Sequence, residues 1–168
     1  MELAMSGLFR ARWSPDINRE WIEAVHAKTG IAIDRLQYVA DCMERAVPDA
    51  IVSGYEPLIS SLSLPDPEDR HVLAAAICCG ASAIVTFNEQ DFPKDALEGF
   101  GMYSRHPDDF IIDVESISPG TLIEAARADL GHYLSPRLGA ERYISELAVS
   151  GLPKTPAHLA GLTSLLAP

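Results

Sequence analysis

Cysteine is scarce, and its placement excludes two classes of small protein. The three residues, Cys42, Cys78 and Cys79, are odd in number, and an adjacent pair inside a helix cannot easily bridge. There is no CxxC pair and no His-plus-Cys spacing of a zinc site, so reduced thiols acting as small hydrophobes are expected. Long apolar runs are also lacking: none approaches the ~20 residues that span a bilayer, so no membrane association is predicted. The opening MELAMSGLFR has no signal-peptide layout, and a cytoplasmic location is the expectation. Gly-rich phosphate loops are absent, and no Ser sits in a nucleophile-elbow context.

Positive charge is the other shortage. The 168 residues carry 13 Lys+Arg against 24 Asp+Glu, a net charge of −11. All of that excess lies in residues 1–115, with nine basic and twenty acidic side chains, whereas residues 116–168 balance at four each. So acidic a surface argues against tight, salt-driven binding of bulk nucleic acid. It leaves room for a metal-dependent nuclease, because bound divalent ions bring their own positive charge to phosphate.

What is present is an alternation of helix and strand signals over the first two thirds of the chain. Phe9–Trp13 reads as a short strand, and Ser14-Pro15 opens a helix to about Lys28. A second helix is predicted from about Ile31 to Arg45, and Pro48 closes it. The strongest helix runs from Pro67 to Cys79 and stops at Gly80. Ala83–Phe87 reads as a buried strand and Phe110–Val114 as another, with 92–109 an irregular loop holding at most one short helix between them. This order indicates an α/β fold with a mostly parallel sheet. After Ser118 the pattern is helical throughout: Ser118-Pro119 opens one helix to about Leu134, Ser135-Pro136 precedes a second ending near Gly151, and Thr155-Pro156 opens a third. The predicted division is therefore an α/β domain over 1–115 and a small helical C-terminal extension over 116–168.

The chemistry-bearing stretch is Leu64–Pro93, LPDPEDRHVLAAAICCGASAIVTFNEQDFP. A helix start and a strand end in this order lie on one edge of a parallel sheet, where ligands bind at crossover points. Asp69 and Asp91 would share that edge, and two carboxylates with few His or Cys nearby suit a hard cation, Mg²⁺ or Mn²⁺. Local spacing leaves Asp69 open between two roles. With Asp66 it could form a capping box; on the apolar stripe with Val72, Leu73 and Ile77 it would point at the sheet edge. Glu20 borders the inward face of its helix, where a surface ion pair is the competing reading. Asp91 follows its strand by four residues, so an ordinary turn acid competes there. Asn88 and Thr86 could orient a metal-bound water or hold a ligand carboxylate. His71 is predicted on the side of its helix opposite Asp69, as a structural or solvent-facing residue.

Glu20, Asp69 and Asp91, with the strings DRHVLAAAI and TFNEQDFP, resemble the PIN-domain superfamily, and within it VapC-type toxins of toxin–antitoxin pairs. The resemblance covers residues 1–115, and GLPKTPAHL in the tail is similar to the helical extension of one subgroup. It implies a PIN-like α/β/α sandwich on a parallel sheet of four or five strands and Mg²⁺- or Mn²⁺-dependent hydrolysis of RNA. It also implies a cognate antitoxin as partner and a homodimer. In that family a quartet of acids holds the metal. Glu20 stands at the helical Glu, Asp69 at the Asp opening the later helix, Asp91 at the Asp of the final acidic turn, and Asn88 where a further acid or Asn is common. One departure is clear: members begin with a central strand ending in Asp, in a pattern such as LLDxxVL, whereas MELAMSGLF resembles the helix that follows it. The expectation is that Met1 is an internal methionine; the alternative is a truncated, non-catalytic protein that still binds its antitoxin.

Overall fold

The computed structural model describes residues 1–133 and 138–166. The chain runs through α1 (Glu2–Met5), α2 (Pro15–Thr29), α3 (Ile33–Ala46), α4 (Glu56–Ile59), α5 (Arg70–Cys79) and β1 (Ala83–Val85). A 3₁₀ turn at Glu89–Asp91, α6 (Lys94–Leu97) and a second 3₁₀ turn at Glu98–Phe100 lead to β2 (Tyr103–Arg105). Then come α7 (Pro107–Ile117), α8 (Thr121–Gly131), α9 (Ala140–Val149), α10 (Lys154–Ala160) and α11 (Thr163–Leu166). Among the described residues no helix is long and apolar enough to cross a membrane.

The fold is α/β, with a small parallel sheet flanked by helices. β1 pairs with β2. The Tyr103 N–H donates to Ser82 O at 3.3 Å and the Thr86 N–H to Arg105 O at 3.0 Å, so both strands ascend together. Trp13 makes a separate parallel bridge to Ile51, with Trp13 N–H donating to Ala50 O and Val52 N–H to Trp13 O. The strand expected at Phe9–Trp13 is reduced to that bridge. Of the larger sheet implied by resemblance, the described residues show these two strands and the bridge.

The strand predicted at Phe110–Val114 is a helix: those residues lie inside α7. A five-residue apolar run carries no decisive period, and the flanking signals decide. Pro107 occupies the first turn, His106 Nδ1 accepts from the Asp108 N–H at 3.2 Å, and Asp108 and Asp109 place negative charge at the helix N-terminus. The second sheet strand arises instead in Tyr103–Arg105, within the stretch expected to be a loop. The helix predicted to open at Ser135-Pro136 has its start outside the described residues.

The chain divides into two compact units, one of Arg10–Ile84 and Asn88–Ser104, the other of Met1–Phe9, Val85–Phe87 and Arg105–Pro168. In the first, Leu73 and Ala76 of α5 pack with Ile84, Phe92, Leu97 and Met102. The other face of α5, Ala74 and Ala75, packs on Val52 and Tyr55, while Ile22 of α2 meets Leu36 and Ala40 of α3. α5 is thus buried on two sides, which its run of alanines permits. In the second unit Leu122, Ala126 and Leu130 of α8 pack with Tyr143, Leu159 and Leu166.

Candidate functional site

Glu20, Asp69 and Asp91 all belong to the unit of Arg10–Ile84 and Asn88–Ser104. Glu20 is placed by α2, whose start follows directly from sequence: Ser14 Oγ accepts from the Ile17 N–H at 3.2 Å and Pro15 opens the first turn. Its side chain is 48% exposed. Asp16, on the same helix, is occupied elsewhere, accepting from Tyr55 Oη at 2.6 Å and pairing with Arg19 at 2.7 Å.

Asp69 stands ahead of α5 as its N-cap residue but makes no side-chain capping bond. Asp66 turns inward on its own loop, accepting from the Glu68 N–H at 2.8 Å. The capping box open to Asp66 and Asp69 therefore does not form, and α5 begins at Arg70 rather than Pro67. Burial pushes the Asp69 carboxyl pKa up, and the charges of Asp91, Asp66 and Glu20 push it further in the same direction, while His71 opposes them. Four carboxylates therefore share one electrostatic neighbourhood, centred on the half-buried Asp69.

Asp91 ends the 3₁₀ turn after β1, and its Oδ2 accepts from Asn88 Nδ2. Asn88 thus orients an acid rather than closing an Asx turn on the backbone. Thr86 belongs to the other unit, where its N–H extends the β1–β2 pairing.

His71 is the residue that sequence reasoning set aside. It is 7% exposed, and its Nε2 lies 2.8 Å from Glu20 Oε1. That approach lacks hydrogen-bond alignment, and neither ring nitrogen has a hydrogen-bond partner among the described residues.

Carboxylate oxygens are donors that suit a divalent cation, and the charges of Asp91, Asp66 and Glu20 raise the pKa of Asp69. The spacing is not that of an assembled centre. Among the described residues no group of three or more His, Cys, Asp or Glu side chains is positioned to hold a metal ion.

At the level of class, the chain is an α/β protein with an acidic neighbourhood in one unit. Over 64 residues it is 45% identical to a Mycobacterium tuberculosis (strain ATCC 25618 / H37Rv) protein named "Putative ribonuclease VapC50". The match covers 38% of this chain and 37% of that protein, so the chain spans little more than a third of its relative's length. This partial match is consistent with PIN-superfamily membership. No family model matches the chain, and no solved structure matches it.

Proposed function

We propose that the chain is the metal-dependent endoribonuclease toxin of a VapC-type toxin–antitoxin pair, built on a PIN-like sandwich over 1–115 with a helical extension over 116–168. The observation that supports this reading is that the charges of Asp91, Asp66 and Glu20 all raise the pKa of the half-buried Asp69. The partial likeness to a protein named as a ribonuclease supports it. Glu20, Asp69 and Asp91 would hold the ion, and Asn88 would fix the Asp91 carboxylate. Bound there, Mg²⁺ or Mn²⁺ would lower the pKa of a water and neutralise charge on the attacked phosphate. The chain's own contribution is to hold like charges close enough that a cation relieves their repulsion. An RNA substrate, a cognate antitoxin, self-association and a cytoplasmic setting accompany the proposal.

A test compares RNA cleavage with Mn²⁺ by the wild-type chain and by Asp69→Asn. The variant is expected to lose about 100-fold or more of the activity, the upper range for disturbing a metal shell. Equal cleavage by both would refute the assignment.

A second reading has its own observation. Glu20 is already approached by His71, and Asp91 already holds Asn88, so two of the three acids have side-chain neighbours in the structure described. On that reading the chain binds an antitoxin without catalysis. Titration calorimetry separates the two: saturable Mn²⁺ binding favours the nuclease, and its lack favours the binding protein.

A further inference from the structure

Arg70 opens α5 directly after Asp69, and it is the one Lys or Arg among residues 64–93, which hold five Asp and Glu. So acidic a setting should claim it for an ion pair, and it does not. Its Nε donates to Pro67 O at 2.8 Å, on the loop between Asp66 and Asp69, and the side chain has no other hydrogen bond or ion pair among the described residues. The charges that act most on the Asp69 carboxyl are those of Asp91, Asp66, Glu20 and His71, so the guanidinium is not spent on neutralising that acid. Other arginines are spent in this way: Arg19 pairs with Asp16 at 2.7 Å, and Arg105 gives Asp113 two bonds, at 2.7 and 2.8 Å. A guanidinium carries five N–H donors in a planar fork, and the Pro67 bond uses one of Arg70's. The donors on both Nη atoms are left over. Anchoring at Nε also removes part of the rotamer freedom that binding would otherwise cost.

We propose that Arg70 is a phosphate contact for single-stranded RNA, with Nε fixed on Pro67 and the two Nη groups forking onto one phosphodiester beside the acids. The proposal rests on the nuclease reading and names the residue that would seat the strand. A phosphodiester approaching Asp66, Asp69 and Asp91 meets like charge, and a cation on the same loop offsets it. Arginine suits that task because its fork binds two phosphate oxygens at once and stays charged at any working pH. Such a contact sets the strand's position and carries no sequence information. The competing role is purely structural, in which Arg70 only fastens the loop ahead of α5. Salt separates the two: a side chain that neutralises a phosphate releases a counterion, and a loop fastener does not.

The experiment is stopped-flow fluorescence anisotropy of a labelled single-stranded oligoribonucleotide with the full chain and Mn²⁺, read before cleavage accumulates, from about 50 to about 200 mM salt. Arg70→Gln removes the charge but keeps an amide N–H for Pro67 O. Its Kd is expected to rise about tenfold. Its plot of log affinity against log salt should be shallower than wild type by about 0.7, the share of one phosphate on a single strand. Arg70→Lys should restore the wild-type slope while losing about threefold in affinity, because a point charge lacks the fork. A measurement on the unaltered chain makes the test independent of folding: the Arg70 side-chain N–H resonances should shift on adding the oligoribonucleotide. No shift at saturation, or a weaker Arg70→Gln with the wild-type slope, would overturn the phosphate contact. Equal affinity and slope in Arg70→Gln would overturn it too and leave the nuclease reading standing. No saturable binding of the oligoribonucleotide by wild type would overturn both the contact and the reading beneath it.

Discussion

Replacement of Asp108 should cost more stability than any other single carboxylate change in its unit. The side chain is 1% exposed and accepts three hydrogen bonds from the start of α10. Oδ2 takes the Lys154 N–H at 2.6 Å, while Oδ1 takes the Thr155 N–H at 2.8 Å and the Thr155 hydroxyl at 2.7 Å. α10 has Pro153 at its N-cap, which offers no side-chain acceptor, so Asp108 of α7 satisfies the first-turn N–H groups from a distant part of the chain. A hydrogen bond to a charged group is worth about 1.5–3 kcal/mol, and the three act as one network, so their losses do not add. Asp108→Ala leaves three donors dry and is expected to destabilise by ~3–5 kcal/mol, the range for breaking a buried charged contact. Asp108→Asn can keep the Thr155 pair but sets an amide NH₂ against the Lys154 N–H, for a cost of about 1–3 kcal/mol.

Urea denaturation at pH 7, with amide exchange at Lys154 and Thr155, measures both variants. The pH arm has a definite sign. Burial pushes the Asp108 carboxyl up, but the donors from Lys154 and Thr155 outweigh it and hold the pKa below the usual carboxylate range. A depressed folded-state pKa stabilises the protein above the unfolded pKa, and that contribution is lost as pH falls through the folded value. Wild type should therefore lose more stability than Asp108→Asn on acidification. A cost under ~1 kcal/mol for Asp108→Ala, with unchanged exchange at Thr155, would refute the argument that this carboxylate caps α10.

Asp69 should behave oppositely in the metal-free protein. Its raised pKa means the ionised form costs stability above the folded value, so Asp69→Asn is expected to be more stable than wild type at pH 7, and the difference should close as pH falls toward the ordinary Asp value of 3.8. Urea midpoints across that range check it, and a less stable variant at neutral pH would contradict the repulsion inferred around Asp69. Two glycines form a matched pair: Gly30 and Gly151 have φ of +72° and +87°, but only at Gly151 would a Cβ meet another atom, Phe87 Cε1 at 3.1 Å. Gly30→Ala should cost about 1 kcal/mol for the left-handed backbone alone, and Gly151→Ala about 2 kcal/mol, read as thermal-unfolding shifts.

Helix ends carried by short-range chemistry were legible in the sequence. Ser14-Pro15 opens α2, and Gly30 ends it in the left-handed region; Gly80 does the same for α5. Phe110–Val114 is helical although its apolar composition alone suits a strand. The signals that settle it are the His106-Pro107 start and the paired acids after it, all readable in the chain. The long-range cap of α10 by Asp108 had no sequence signature, since nothing local ties residue 108 to residues 154 and 155. Tyr103–Arg105 was hidden for a related reason. Three residues are too few to show a period, and their pairing with β1 depends on the partner strand rather than on their own composition.

The acidic neighbourhood was legible in one respect and hidden in another. Residue type and position along the helix–strand order brought Glu20, Asp69 and Asp91 forward, and in the structure the charges of Glu20 and Asp91 both bear on Asp69. What the sequence could not supply is the second neighbour of each acid. Asn88 binds Asp91 across a turn, which a close reading of TFNEQDF allows, but His71 reaches Glu20 from a different helix. A histidine two residues after an N-cap aspartate looks solvent-facing only if that side of the helix is taken to be bare. Here α5 is covered on more than one side, so opposite to Asp69 does not mean outward. The consequence is chemical. A site read from its acids alone omits the buried imidazole whose Nε2 lies 2.8 Å from Glu20 Oε1, so the surroundings of that carboxylate depend on a residue that carries no acid at all.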